Sequence, residues 1–179
     1  MKIRIKEDEV SSFIAQVKPQ MSAFIDSVQD AIEDKATEQK EGIVTTASIA
    51  LALPAILGIV ARLGKSLSSI VKRTIGTKPT DQNEADKYFA QMSRIADELH
   101  HLYMKPIELV VKKFVKDENK AKKISSFIFH VIIAILLIAS GATAVKALQS
   151  KEISLATLEA ALTAVKGGEV KNYITKLLA

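Results

Sequence analysis

Three places in this 179-residue chain bring together side chains that can do chemistry. The first is His100-His101, beside Asp97, Glu98 and Met104. On a helix, Asp97 and His101 stand at i and i+4, where a carboxylate and an imidazole can share a metal ion or a salt bridge. Adjacent histidines point about 100° apart on a helix and do not chelate as a pair. A polar surface face is the reading this spacing supports, because the sequence identifies no third ligand and no partner for acid–base work. The second place is Gly58 to Ser66, which ends in Gly64-Lys65-Ser66. A phosphate-binding loop requires G-x-x-x-x-G-K-[ST] after a buried strand. Here the glycines are one position too far apart, Ile59 stands where Gly is needed, and the preceding segment carries Pro54 and reads as helix.

The third is His130, an ionisable group inside Ile124 to Val145. That stretch of 22 residues contains no Asp, Glu, Lys or Arg. An ionisable group at membrane depth is a functional suspect, but His130 follows Lys123 by only two turns and can remain neutral and hydrogen-bonded. With no cysteine, thiolate metal sites, disulfides and Cys nucleophiles are excluded. No catalytic residue, cofactor site or metal site emerges, and a non-enzymatic protein is expected.

The elements that carry these groups are helical. Val10, Ile14, Val17, Met21, Phe24 and Val28 alternate at spacings of 4 and 3, the seam of a packed helix. Pro19 predicts a kink or break there, with one helix from about Glu7 to Val17 and a second from Pro19 to about Gln39. A second uncharged run spans residues 43–61. Beyond it, Leu63, Leu67, Ile70, Val71 and Ile75 fall on one side of a helix, and Arg62, Lys65, Lys72 and Arg73 fall on the other. Thr80 or Asp81 caps the next helix, whose stripe runs from Ala85 to Tyr103 before Pro106 breaks or kinks it. Ser154 caps a helix that Gly167-Gly168 ends, and a last helix uses Val170, Tyr173, Ile174, Leu177 and Leu178. The class is all-α.

Five regions follow: an amphipathic region at 1–42, a first apolar span at 43–61, a basic connecting region at 62–123, a second apolar span at 124–145, and a helical tail at 146–179. The net charge of +5 is concentrated in the connecting region, with 14 basic against 8 acidic residues. Two spans about long enough for a bilayer core predict a transmembrane hairpin, with the connecting region cytoplasmic by the positive-inside rule. Arg62, Lys65, Lys72, Arg73, Lys120, Lys122 and Lys123 are then expected at an anionic lipid surface. Ser48, Ala52, Ala55 and Gly58 on one span, and Ser140, Gly141 and Ala144 on the other, are expected to let the helices approach closely. Antiparallel pairing would join the start of the first span to the end of the second.

In architecture the hydrophobic pair with its basic flanks resembles small viral membrane proteins, including holins and membrane-crossing virion components. That resemblance implies a structural, assembly or membrane-remodelling role in a virion or host membrane, in a homo-oligomer or larger protein assembly. The alternative is a soluble all-α structural or interaction protein whose apolar helices are buried in an oligomer. The basic residues lack interleaved aromatics, so no specific nucleic-acid partner is expected.

Overall fold

The computed structural model describes residues 7–38, 46–75, 79–139, 141, 148 and 150–178. Among these residues there are six helices and no strand: α1 (Glu7–Glu38), α2 (Thr46–Ile75), α3 (Gln82–Phe114), α4 (Glu118–Ala139), α5 (Leu155–Gly167) and α6 (Val170–Leu178). Local chemistry sets several ends. The Asp81 carboxylate accepts from the backbone N–H groups of Asn83 and Glu84 at the start of α3. Asp117 does the same for Asn119 and Lys120 at the start of α4. Ser154 caps α5 through the Thr157 N–H, and Gly168 closes it at φ 68°, a left-handed conformation that costs glycine little.

The three internal prolines do not end their helices. Pro19, Pro54 and Pro106 lie inside α1, α2 and α3. One continuous α1 replaces the two separate helices expected on either side of Pro19. A proline removes one helical donor and crowds the carbonyl four residues back. Around Pro19 that carbonyl belongs to exposed Ala15, where water can satisfy it. Phe13 and Val17 before the proline, and Phe24 and Val28 after it, are all buried in one core. Each such burial contributes about 1.5–3 kcal/mol, enough together to hold the helix through one lost bond.

Contacts along the first four helices define their directions. Gln20 of α1 meets Ser66 of α2, whereas Val28 and Ile56 border the same small cavity, so α1 and α2 are antiparallel. Tyr103 of α3 donates its hydroxyl proton to the Val17 carbonyl at 3.2 Å. Farther on, Val28 and Val111 meet at that cavity, so α1 and α3 run the same way. Ile56 faces the cavity with Ile128, and Gly64 touches Ile135, so α2 and α4 also run the same way. The result is an up–down–up–down bundle. Helices α5 and α6 then pack on α4, and α6 also reaches α2.

This corrects the antiparallel pairing expected of the two apolar runs. The connecting region is no loop on one side. Its 33-residue helix α3 recrosses the bundle and returns the chain to the end where α2 began.

Two helical stretches, Pro54–Thr74 and Glu118–Ala139, are long and apolar enough to cross a membrane. Their surroundings differ. In α4, 13 of 22 residues are buried, and α2, α3, α5 and α6 all pack against it. Helix α4 ends at Ala139, and Gly141 takes φ 77°; residues 140 and 142–145 of the second apolar run lie outside the described residues.

Close approach of α2 to α4 occurs at Gly64. A Cβ there would lie 2.6 Å from Ile135 Cγ2 and 3.0 Å from its Cβ. Gly58 is exposed, and a Cβ on it would meet nothing within 4 Å. Gly58→Ala should therefore stabilise the protein by up to about 1 kcal/mol, through helix propensity alone. Gly64→Ala gains the same propensity but forces Ile135 to move, at about 1–3 kcal/mol, and should be neutral or destabilising by up to about 2 kcal/mol. Urea unfolding of the two variants checks the difference. Equal stabilisation by both would show that the helices do not meet at Gly64.

Candidate functional site

The chemistry-bearing residues that the fold gathers lie where α3, α4 and the lead into α5 meet. The uncharged stretch places His130 on the α5-facing side of α4, where it is only 3% exposed. The N-cap sequence at Ser154 brings a backbone N–H to it: the Ser154 amide donates to His130 Nε2 at 3.1 Å. An amide nitrogen can only donate, so Nε2 must carry the lone pair. The proton of the neutral ring is then on Nδ1, which donates to the Ser126 carbonyl at 2.6 Å. Both ring nitrogens are thus used, and the neutral tautomer is set by its partners. Burial lowers the pKa of His130 from its ordinary value; the Ser126 backbone bond opposes this, and the nearby His100 adds to it.

His100 projects from α3 against the same corner. Its ring meets Phe129 edge-on, with centroids 5.3 Å apart. Its Nδ1 lies 3.8 Å from the Glu152 carboxylate, an ion pair when the ring is protonated. One turn earlier, Asp97 accepts a hydrogen bond from the Ser150 hydroxyl. The Ser150 oxygen in turn accepts from the backbone N–H groups of Glu152 and Ile153. The segment 150–154 is therefore tied to α3 by Asp97 and His100, and to α4 by His130.

As chemistry, the arrangement is a polar clasp. Its hydroxyls meet bases only as packing contacts, Ser150 on Asp97 and Ser126 Oγ at 3.4 Å from His130 Nδ1, and among the described residues no group of three or more His, Asp or Glu could hold a metal ion. Asp97 turns to Ser150, and His101 is exposed. The Gly58–Ser66 stretch lies wholly within α2, and the Ser66 hydroxyl donates to Gln20, so this segment forms no phosphate-binding loop.

The basic residues expected at one lipid surface are divided. Arg62, Lys65, Lys72 and Arg73 are exposed along α2, and Lys122 and Lys123 are exposed in the first turns of α4, with Lys120 half-buried. Because α2 and α4 run the same way, Lys72 and Arg73 lie toward the far end of the bundle from Lys122 and Lys123. The common basic face that the expected orientation requires is not formed, because α3 separates the two flanks by a full length of the bundle. Lys122 and Lys123 instead border an open cleft with Thr157 and Tyr173.

Of the residues expected to pack the two spans, Ala55 and Gly58 are exposed. Gly141 is also exposed, beyond the end of α4. Ser140 and Ala144 lie outside the described residues, as do the side chains of Ser48 and Ala52. Sequence reasoning singled out His130 and the Ser154 cap separately. Their contact, and the parts played by Asp97, Ser150 and Glu152, join positions with no shared periodicity and had no signal in the sequence. Comparison with family models, characterised proteins and solved structures yields no match.

Ser150→Ala removes one side-chain bond to Asp97 and the acceptor for two backbone amides. It should destabilise the protein by about 1–2 kcal/mol, measured by urea unfolding. Ser69→Ala, at an exposed position on α2, should change stability by less than about 0.5 kcal/mol. An equal effect at the two positions would rule out the clasp as a stabilising contact.

Proposed function

We propose that this chain is a non-enzymatic helical interaction or assembly protein in which the apolar helix α4 is a core helix, sheltered by the protein's own amphipathic helices. The observation that carries this reading is the cover on α4: four helices of the same chain pack on it, and 13 of its 22 residues are buried. A helix apolar on all sides belongs either in lipid or in a protein interior, and here the interior is supplied within one chain. Oligomerisation is then a matter of the outer faces and is not needed to cover α4. The Ser150 hydroxyl is occupied by Asp97 and by two backbone amides of its own segment, which supports a structural role over a catalytic one.

A second reading, integral insertion as a two-helix hairpin with a membrane-remodelling role, is favoured by one feature. On α2, Pro54, Ala55 and Gly58 present an uncharged surface outward. Insertion would require α2 and α4 to part from α1, α3, α5 and α6 and to reverse their relative direction.

Membrane fractionation at high salt and high pH separates the two. The full chain should be recovered without detergent as a defined species in solution, with a single cooperative unfolding transition. Retention in the membrane pellet, released only by detergent, would overturn the core-helix reading in favour of the hairpin.

A further inference from the structure

The clasp around His130 has a property that a purely apolar contact between α4 and α5 would lack: one of its bonds depends on a proton. We propose that His130 is an acid-released latch. Its neutral ring pins the first turn of α5 to α4, and a proton on Nε2 turns the acceptor into a donor that faces the Ser154 N–H and forces the two apart.

The geometry leaves protonated His130 few alternatives. Nδ1 is already committed as a donor to the Ser126 carbonyl. The only polar contact of Nε2 among the described residues is the Ser154 amide, which cannot accept. Around the ring, α3 contributes His100 and Asp97, and the lead into α5 contributes Glu152. Asp97 is engaged by Ser150, and Glu152 stands beside the His100 ring. His100, when charged, opposes a second charge on His130. Helix α2 meets α4 at Gly64 and Ile135, and the charged residues flanking Gly64, Arg62 and Lys65, are exposed to solvent. On the α6 side, the neighbour one turn earlier on α4 is Phe127, stacked on Tyr173 at 4.1 Å. On α5 the carboxylate of Glu159 is exposed, so none of the carboxylates named stands free beside Nε2 to receive an imidazolium in place.

The direction of the response follows from proton linkage. His130 is held neutral in the closed state, so the opened state binds more protons. Closure is complete above the ordinary histidine value of about 6.5 and weakens as pH falls below it, until the lowered value of the closed state is reached. Within that window, one proton taken up on opening makes the open fraction rise about tenfold per pH unit. Opening uncovers the side of α4 that α5 and α6 protect, including Phe127, which stacks on Tyr173 of α6.

Amide hydrogen exchange of the full chain between about pH 8 and pH 5, corrected for intrinsic exchange, tests this. Protection of Ser154 and the first turn of α5 should fall about tenfold per pH unit below the ordinary histidine value. In His130→Gln, whose carboxamide can still accept but cannot titrate, that dependence should vanish. The same pH dependence in His130→Gln would overturn the latch. If the variant does not fold, ring-nitrogen NMR of the native chain decides. A proton on Nδ1, with titration that coincides with loss of Ser154 protection, supports the latch. A ring that becomes protonated while the Ser154 amide stays protected refutes it.

Discussion

The constraint on which the structure depends is the need to cover α4 on every side. Most helices of a bundle have a polar face that can meet water. Helix α4 beyond Lys123 has none as wide: Phe127, Phe129, Ile132, Ile133, Leu136 and Leu137 are all less than 2% exposed and cover more than half of its circumference at about 100° per residue, with Ile128 and Val131 buried on the remaining side. Each of the other helices can be understood by what it offers this one. Helix α2 supplies a glycine where the two backbones approach. Helix α3 supplies a long aromatic and aliphatic stripe with polar groups at the α5 end, while α5 and α6 close the remaining side. Helix α1 lies outside, filling the groove between α2 and α3.

That requirement also explains where polar chemistry occurs. A buried polar group costs free energy unless it is hydrogen-bonded. His130 is tolerated because α5 begins directly opposite it and supplies a donor. Ser125 answers the same demand within its own helix, by donating to the Ala121 carbonyl at 2.7 Å. Among the described residues the buried Gln91 carboxamide has no hydrogen-bond partner. The clasp at the start of α5 therefore serves two purposes at once. It satisfies a buried imidazole, and it fixes the angle at which α5 lies against the core.

Charge follows packing rather than preceding it. The basic excess of the connecting region suggested one positive surface, because the region was read as lying on a single side. Once α3 crosses the bundle, its two ends and their lysines belong to opposite ends of the molecule. An exposed lysine is free to take either position at little energetic cost, so charge placement could not have directed the fold. Burial of Leu63, Leu67 and Val71 against the core could, and these residues face inward as their periodicity required.

Helicity, the amphipathic side of α2 from Leu63 onward, the caps at Asp81 and Ser154, and the stop at Gly168 were all determined by the sequence. Each rests on neighbours within about four residues, where side-chain spacing and backbone chemistry act directly. The sequence also marked His130 as an ionisable group out of place in its surroundings. Tertiary structure alone decided that α1 continues past Pro19, that α2 and α4 run in the same direction, and that His130 meets the Ser154 amide. It also decided that most of α4 is buried against other helices of the same chain. These outcomes depend on which surfaces meet across dozens of residues. An apolar stretch states only that it must leave water, and the rest of the chain determines what takes the water's place.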